Sequence, residues 1–250
     1  MEKHFNFKDK AGEIFITKQG WKIEIIEYFG WNNCTILVDG KIIRKNISYQ
    51  NIKFDRINNP YYPSFSGVGF IGEGKYTGGK SDFSYKYLTI WSGMLQRCYS
   101  KERLIKNPSY KECSVVEEWH NFQNFAKWFQ ENYIEGFELD KDILFKGNKV
   151  YSPETCCFVP QEINSLFTKK ICKRGELPIG VIKMGKKFRT QIQNKYSEKI
   201  YKCYDNVEEA FKTYKTAKEQ YIKKIADKWR GQITEEVYQA MYNYSVEITD

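Results

Sequence analysis

Two parts of the chain show the alternation of apolar and polar residues that is typical of half-buried β-strands. The first part lies between Glu13 and Lys53, where the pair Asp39-Gly40 separates two alternating runs. An Asp-Gly pair in that position favours a tight hairpin turn. The pattern therefore predicts a small antiparallel β domain near the N-terminus.

The second alternating part predicts a three-stranded antiparallel sheet followed by an amphipathic helix. The strands are predicted at Gly180–Met184, Lys187–Gln193 and Lys199–Tyr204. Asp205 and Glu208 have the spacing of a helix capping box, so the helix is predicted to open at Asp205. Apolar residues then recur at helical spacing and form one face that would cover the sheet. These residues are Val207, Ala210, Phe211, Tyr214, Ala217, Tyr221, Ile222 and Ile225.

Helical periodicity marks three further segments. Apolar residues at helical spacing predict helices over Tyr85–Tyr99 and Asn121–Tyr133, and a short helix from Glu235 to about Tyr244. His120 precedes the second of these helices, and we expect it to cap or pack rather than to catalyse. Residues 58–84 are rich in glycine and proline and are predicted to form a loop-rich connector.

Charge is concentrated in one part of the chain. The net charge is +9, and the segment from Thr168 to Arg230 carries 18 lysines and arginines against 7 acidic residues. The rest of the chain is close to neutral, with 22 basic and 24 acidic residues. A folded segment this basic indicates a polyanionic partner, of which nucleic acid is the commonest. An anionic membrane surface is the competitor, but the sequence contains no long apolar run or lipidation motif.

The cysteines and the first residues bear on the compartment. Met1–Lys10 is polar and charged, so no signal peptide is expected. The seven cysteines include no pair with the C-x2-C spacing of a zinc site. A reducing cytosol is therefore the predicted location.

The stretch Leu139–Asn164 has a layout of its own. It contains a predicted short strand carrying Asp140, a turn, a second strand at Cys156–Val159, and a helix that opens at Pro160. A carboxylate leads this strand–turn–strand–helix unit, and the amide of Asn164 ends it. The stretch resembles the ββα-metal finger of the HNH nuclease family, particularly its phage homing-endonuclease branch.

The resemblance implies a site for one divalent ion that stabilises the leaving oxygen while a histidine takes a proton from water. Asp140 and Asn164 keep the family's ligand positions, and Asp142 is a possible further ligand, so the implied cofactor is Mg2+ or Mn2+. Lys141 stands where the family has its histidine, and Thr155 stands where it has an asparagine. The candidate catalytic residues are Asp140, Lys141, Thr155 and Asn164.

Lys141 is the largest departure from the family's pattern. A lysine acting as a base near neutral pH needs its pKa lowered by about three units from about 10.4. The side chain could more easily contact a phosphate as a cation. The hydroxyl of Thr155 can still brace its loop by hydrogen bonding. We therefore expect weak or lost cleavage.

The C-terminal sheet and helix resemble the Apetala-type (ethylene-response-factor) DNA-binding domain, a module also found attached to phage HNH endonucleases. The resemblance implies that the sheet's exposed face lies in the major groove. Arg189 suits a guanine edge, and Gln191 or Gln193 suits an adenine edge. Three lysines on the first strand and beside the turns would hold phosphates. The candidate DNA-binding residues are Lys183, Lys186, Lys187, Arg189, Gln191, Gln193 and Lys195.

These observations predict an α+β protein. Its expected parts are a β domain (1–57), a connector (58–84), an HNH-like ββα domain (85–170), a sheet-plus-helix DNA reader (171–230) and a C-terminal helix and tail (231–250). The favoured function is sequence-specific binding of double-stranded DNA on an endonuclease scaffold. An active metal-dependent endonuclease or nickase is the first alternative. A phage counter-defence factor that binds a host protein is the second, and the oligomeric state stays open.

Overall fold

The chain has an α+β fold. The computed structural model describes residues 8–167, 177–192 and 200–248. These residues form two compact units, Met1–Tyr62 and Pro63–Asp250, which are described separately below.

The first unit is a four-stranded antiparallel sheet with one short helix. Its elements are β1 (Ile14–Ile16), β2 (Lys22–Tyr28), β3 (Cys34–Val38), β4 (Ile42–Ile47) and α1 (Tyr49–Lys53). The strands lie in chain order across the sheet. The predicted hairpin is confirmed, since Asp39 and Gly40 have φ of 50° and 67° and the N–H of Lys41 donates to the carbonyl of Val38. One face of the sheet and α1 enclose a core in which Ile23, Ile25 and Ile36 are fully buried.

The second unit begins with a helical layer and a small finger. Its first elements are α2 (Tyr85–Tyr99), α3 (Lys101–Lys106), β5 (Ser114–Val115), α4 (Phe122–Asn132), β6 (Phe137–Asp140), β7 (Val150–Tyr151), β8 (Cys157–Pro160) and α5 (Gln161–Phe167). Strands β5 and β7 form a parallel pair, and β6 and β8 form an antiparallel pair. We call β6, β8 and α5 the finger.

The two predicted helices of this layer are confirmed. Helix α2 has the predicted bounds, and α4 begins one residue after Asn121, whose side chain accepts the backbone N–H of Gln123. Their apolar faces meet in one aromatic core, where Trp91 and Trp119 are both fully buried. This core also receives Phe158 from β8, so the helical layer supports the finger.

Residues 63–84 lack the freedom expected of a glycine-rich connector. They contain no helix or strand, as predicted, but several of their glycines pack tightly on α2 and α4. A Cβ on Gly69 would overlap Trp91 and Leu95, and a Cβ on Gly74 would overlap Gln123. These glycines therefore permit close packing of the backbone against the helices.

The C-terminal part contains the predicted sheet and helix. Its elements are β9 (Val181–Met184), β10 (Lys187–Ile192), β11 (Ile200–Tyr204), α6 (Val207–Trp229) and α7 (Glu235–Tyr242). The antiparallel sheet has the order β11-β10-β9, and we call it the reading sheet. The predicted cap is corrected: the side chain of Asn206, not Asp205, accepts an N–H at the start of α6, from Glu209. The predicted second turn, residues 194–198, lies outside the described residues.

Helix α6 contributes to two separate cores. Its first half covers the reading sheet with Ala210 and Tyr214, which are buried. Its second half joins a core with the finger and α7, in which Ile222 and Ile163 are fully buried. The returning tail places Val246 against Tyr214.

Candidate functional site

Register determines which side chains share each face of the reading sheet. Directly paired residues of antiparallel strands point to the same face. Thr190 pairs with Val181, both are buried, and the Thr190 hydroxyl donates to the carbonyl of Ala210 on α6 at 2.7 Å. The face that carries Thr190 therefore lies against α6. The opposite face, which we call the outer face, carries the alternate residues.

The outer face holds three of the predicted DNA-contacting residues. Lys187 is exposed, and Arg189 and Gln191 are half-buried. Arg189 pairs with Ile182 on β9 and with Cys203 on β11, so both belong to this face. Lys187 forms an ion pair with Asp205 at 3.3 Å, with side chains 58% and 88% exposed. Such an exposed pair is weak and can exchange for a phosphate at little cost.

The remaining predicted contacts are distributed differently. Lys186 is exposed in the turn between β9 and β10. Lys183 is exposed but pairs with Phe188, which places it on the α6 side rather than on the outer face. Gln193 and Lys195 lie outside the described residues.

In the finger, the strand pair presents two carboxylates toward its helix. Glu138 pairs with Val159, and Asp140 pairs with Cys157. Val159 and Cys157 share a core with Ile163 of α5, so this face of the ribbon lies under α5. The side-chain amide of Asn164 donates to Glu138 at 2.6 Å. Sequence reasoning missed Glu138, although its position two residues before Asp140 on a strand implies the same face.

Asp140 is held by the backbone of the following turn. Its Oδ1 accepts the N–H groups of Asp142 and Ile143, each at 2.8 Å. Burial raises the pKa of the Asp140 carboxyl to about 6, and the nearby charge of Asp142 adds to the shift. A carboxyl group with such a pKa is present in both protonation states close to neutral pH.

Lys141 is placed as a structural cation. The residue is 8% exposed, and its ammonium donates to Asp142 Oδ2 at 2.9 Å and to the carbonyl of Asn148 at 3.2 Å. Burial acts to lower the pKa of Lys141, but the hydrogen bond and charge of Asp142 outweigh it and raise the pKa. A general base needs the opposite shift, and a buried ammonium does not reach a phosphate. The arrangement suits neither role considered for Lys141.

The loop between the finger's strands is braced by side chains. The Thr155 hydroxyl donates to the carbonyl of Val150 at 2.7 Å, which is the bracing contact expected of it. The amide of Asn148 donates to the carbonyls of Lys141 and Val150, each at 2.7 Å. Nothing in the sequence indicated that Asn148 closes the loop.

Oxygen atoms are the donors that the finger offers to a metal. Asp140, Glu138 and Asn164 supply carboxylate and amide oxygens, which suit Mg2+ or Mn2+, and Mg2+ keeps several ligands as water. Asp142 is the weaker candidate because its Oδ2 is engaged by Lys141. Within the described parts of the chain, no group of three or more His, Cys, Asp or Glu is placed to hold a metal ion. Any ion here would rest on two or three protein oxygens and on water.

His120 packs in the helical layer, as expected. Its Nε2 lies 3.4 Å from the Tyr99 hydroxyl, and the two rings meet edge to face with centroids 5.8 Å apart. The carbonyl of His120 accepts the N–H of Phe70. These contacts join α2 and the glycine-rich segment to the turn that precedes α4.

Comparison with known proteins gives no relative. No family model matches the chain, and no curated protein or solved structure matches it either. Among helices in the described ranges, none has the length and apolar character needed to cross a membrane.

Proposed function

We propose that this protein binds double-stranded DNA in a sequence-specific manner through the outer face of the reading sheet. On this proposal the finger is an HNH-type scaffold that grips the DNA backbone with weak or lost cleavage, and the protein acts in the cytosol. The observation that carries the proposal is the alignment of Lys187, Arg189 and Gln191 on the face opposite α6.

Chemistry and shape both support this use of the face. A two- or three-stranded antiparallel ribbon fits the major groove, where Arg can bind a guanine edge and Gln an adenine edge. Lys186 in the adjacent turn and Lys187 at the strand's start add positive charge at the rim. Ile182 and Met184 on β9 share the face and offer apolar contact to thymine methyl groups.

The state of Lys141 supports the proposal of weak or lost cleavage. The proposed reaction requires a neutral group to take a proton from water. The lysine in that position is buried and has a raised pKa because of Asp142, so it stays protonated at neutral pH. The finger would then hold the duplex without an efficient base.

The binding proposal is tested by a pair of charge-matched variants. A target duplex is first selected from random DNA, and affinity is measured by fluorescence anisotropy. Arg189→Ala should weaken binding to that duplex by about 1–3 kcal/mol and relax the preference for one base pair. Lys202→Ala removes the same charge from an exposed residue on the α6 side of the sheet, because Lys202 pairs with Thr190. Equal losses for the two variants, or no loss for Arg189→Ala, would remove the outer face from its role.

An active nuclease is the second candidate. It is favoured by Glu138 and Asp140, which lie under α5, and by Asn164 of that helix, which donates to Glu138. Supercoiled plasmid is incubated with the protein and Mg2+ or Mn2+, beside Asp140→Ala. We expect little or no nicking above that of the variant. Nicking by the parent that disappears in Asp140→Ala would establish the nuclease in place of binding alone.

A further inference from the structure

Helix α6 connects the reading sheet to the finger without interruption. It runs for 23 residues from Val207 to Trp229, which is about 34 Å at 1.5 Å per residue. Ala210 and Tyr214 pack on the sheet, and Tyr221 and Ile225 belong to the core shared with the finger. The two sets of contacts are centred about 17 Å apart along the helix axis.

Both sets of contacts lie on one side of α6. At about 100° per residue, Ala210, Tyr214, Tyr221 and Ile225 fall within about 60° of the helix circumference, and Ile222 and Ala226, the other buried residues of the second set, widen this arc to about 160°. The sheet and the finger therefore lie side by side along the same face of the helix. A duplex that follows the outer face of the sheet can extend toward the finger.

Polar contacts fix α6 to the finger at the far end of the helix. Glu162 on α5 accepts Lys228 Nζ at 2.6 Å and Trp229 Nε1 at 2.7 Å. Lys218 donates to the carbonyl of Leu166, the next-to-last residue of α5, at 3.0 Å. The ring of Trp229 also meets Phe137 of β6 edge to face. These contacts oppose rotation of the finger about the helix.

The tail after α7 fixes the other half of the helix. Lys215 Nζ donates to the carbonyl of Val246 at 2.8 Å, and the N–H of Val246 donates to Glu219 Oε1 at 2.8 Å. Val246 then packs against Tyr214, the residue that covers the sheet. Lys146, in the loop of the finger, donates to the carbonyl of Ser245 at 2.7 Å. The tail therefore touches the sheet-bearing part of α6 and the finger at once.

We propose that the reading sheet and the finger act as one rigid body that contacts a single duplex at two places with a fixed spacing. For a duplex that runs parallel to α6, the spacing of about 17 Å along the helix corresponds to about five base pairs at 3.4 Å per base pair, or half a helical turn. This inference rests on the proposed DNA binding. The inference adds that the base sequence bound by the sheet determines which phosphates contact the finger.

Rigidity is tested by pulsed electron spin resonance between two nitroxide labels. One label is attached through Lys202→Cys on the α6 side of the sheet and the other through Ser165→Cys on the exposed side of α5, with Cys172→Ser and Cys203→Ser removing competing thiols. The other described cysteines are buried. We expect one narrow distance distribution that does not change when DNA is added. A broad or two-peaked distribution, or a shift on DNA binding, would overturn the proposal.

Fixed spacing on DNA is tested with an iron chelate on one site at a time, either Ser165→Cys on α5 or Asp205→Cys, an exposed position beside Lys187 at the rim of the outer face, each with Cys172→Ser and Cys203→Ser. The protein bound to its selected duplex should cut at two focused positions, and their separation should stay the same when sequence outside the sheet's site is changed. Absence of cuts from the Ser165→Cys chelate, or cuts spread over more than a turn, would contradict the fixed spacing while leaving DNA binding intact. Failure of the parent to bind any duplex would instead overturn the proposed function and this inference together.

Discussion

At the end of β6, the carboxyl group of Asp140 is hydrogen-bonded by the backbone and largely buried. Two backbone N–H groups fix its Oδ1, and burial raises its pKa to about 6. When an acidic group has a higher pKa in the folded state than in the unfolded state, the protein loses stability as the pH rises from the unfolded pKa to the folded pKa. The cost of burying Asp140 therefore builds up as the pH rises from about 4 to about 6, and it is fully present at pH 7.

Replacing this carboxyl group with an amide should remove the cost. Asp140→Asn keeps an oxygen that can accept the two N–H groups but carries no charge. We expect it to raise the free energy of unfolding at pH 7 by about 1–3 kcal/mol. At pH 4, where the parent's carboxyl is protonated, the difference should nearly vanish. Urea unfolding of both proteins at the two pH values measures this, and an equal difference at both would disprove the raised pKa.

Some single residues of the site could be predicted from the sequence and others could not. Asp140 and Asn164 could be proposed as site residues because the strand–turn–strand–helix pattern places them at its start and its end. The partner of Asn164 is Glu138, and that contact depends on how α5 lies over the ribbon. The burial of Lys141 likewise depends on residues beyond its own strand, because its ammonium group lies over the ring of Tyr151. Periodicity carries no such information.

Among the elements, the reading sheet and α6 followed closely from local patterns. Alternation located the strands within a residue or two, because each strand has one covered and one exposed face. The cap was shifted by one residue, from Asp205 to Asn206, since both side chains can accept an N–H. The contact of α6 with the finger could not be predicted, because the apolar pattern of a helix face does not indicate which element packs against it.

The joint between the sheet and α6 depends on Gly180. This residue has φ of 75°, and a Cβ there would overlap the ring of Tyr214. Gly185 in the next turn has a similar φ of 63° but open space around it. Gly180→Ala should therefore cost about 2–5 kcal/mol, and Gly185→Ala only about 1–2 kcal/mol. Equal costs in thermal unfolding would show that backbone strain alone matters and that the close contact with Tyr214 does not.

For the whole molecule, positive charge in the C-terminal part is the property that most affects association. Thr168–Arg230 holds a balance of 18 basic to 7 acidic residues, while the rest of the chain is nearly neutral. On the proposed function, a duplex would therefore be attracted to this part of the protein, and counterions would leave its phosphates on binding. Composition alone gave this expectation. Which face is proposed to contact the duplex could be inferred only from the strand register.

Salt dependence should report the number of phosphates held. Lys183 lies on the α6 side, so Lys186, Lys187 and Lys195 remain the candidate contacts, and a plot of log affinity against log salt should have a slope of about −2 to −3. Lys186→Ala should reduce the steepness by about one, with little change in base preference. The control is Lys212→Ala, an exposed lysine on α6. A slope near zero for the parent would exclude phosphate contacts as the source of affinity.

Protection of Cys203 from alkylation tests the central claim most directly. Cys203 is exposed and pairs with Arg189 on the outer face. In a Cys172→Ser background, maleimide should react with Cys203 in the free protein and at least ten times more slowly in the presence of a saturating duplex. The same duplex should not protect a cysteine introduced by Lys202→Cys, in a Cys172→Ser and Cys203→Ser background, on the opposite face. An unchanged Cys203 rate in a protein that demonstrably binds the duplex would contradict the account.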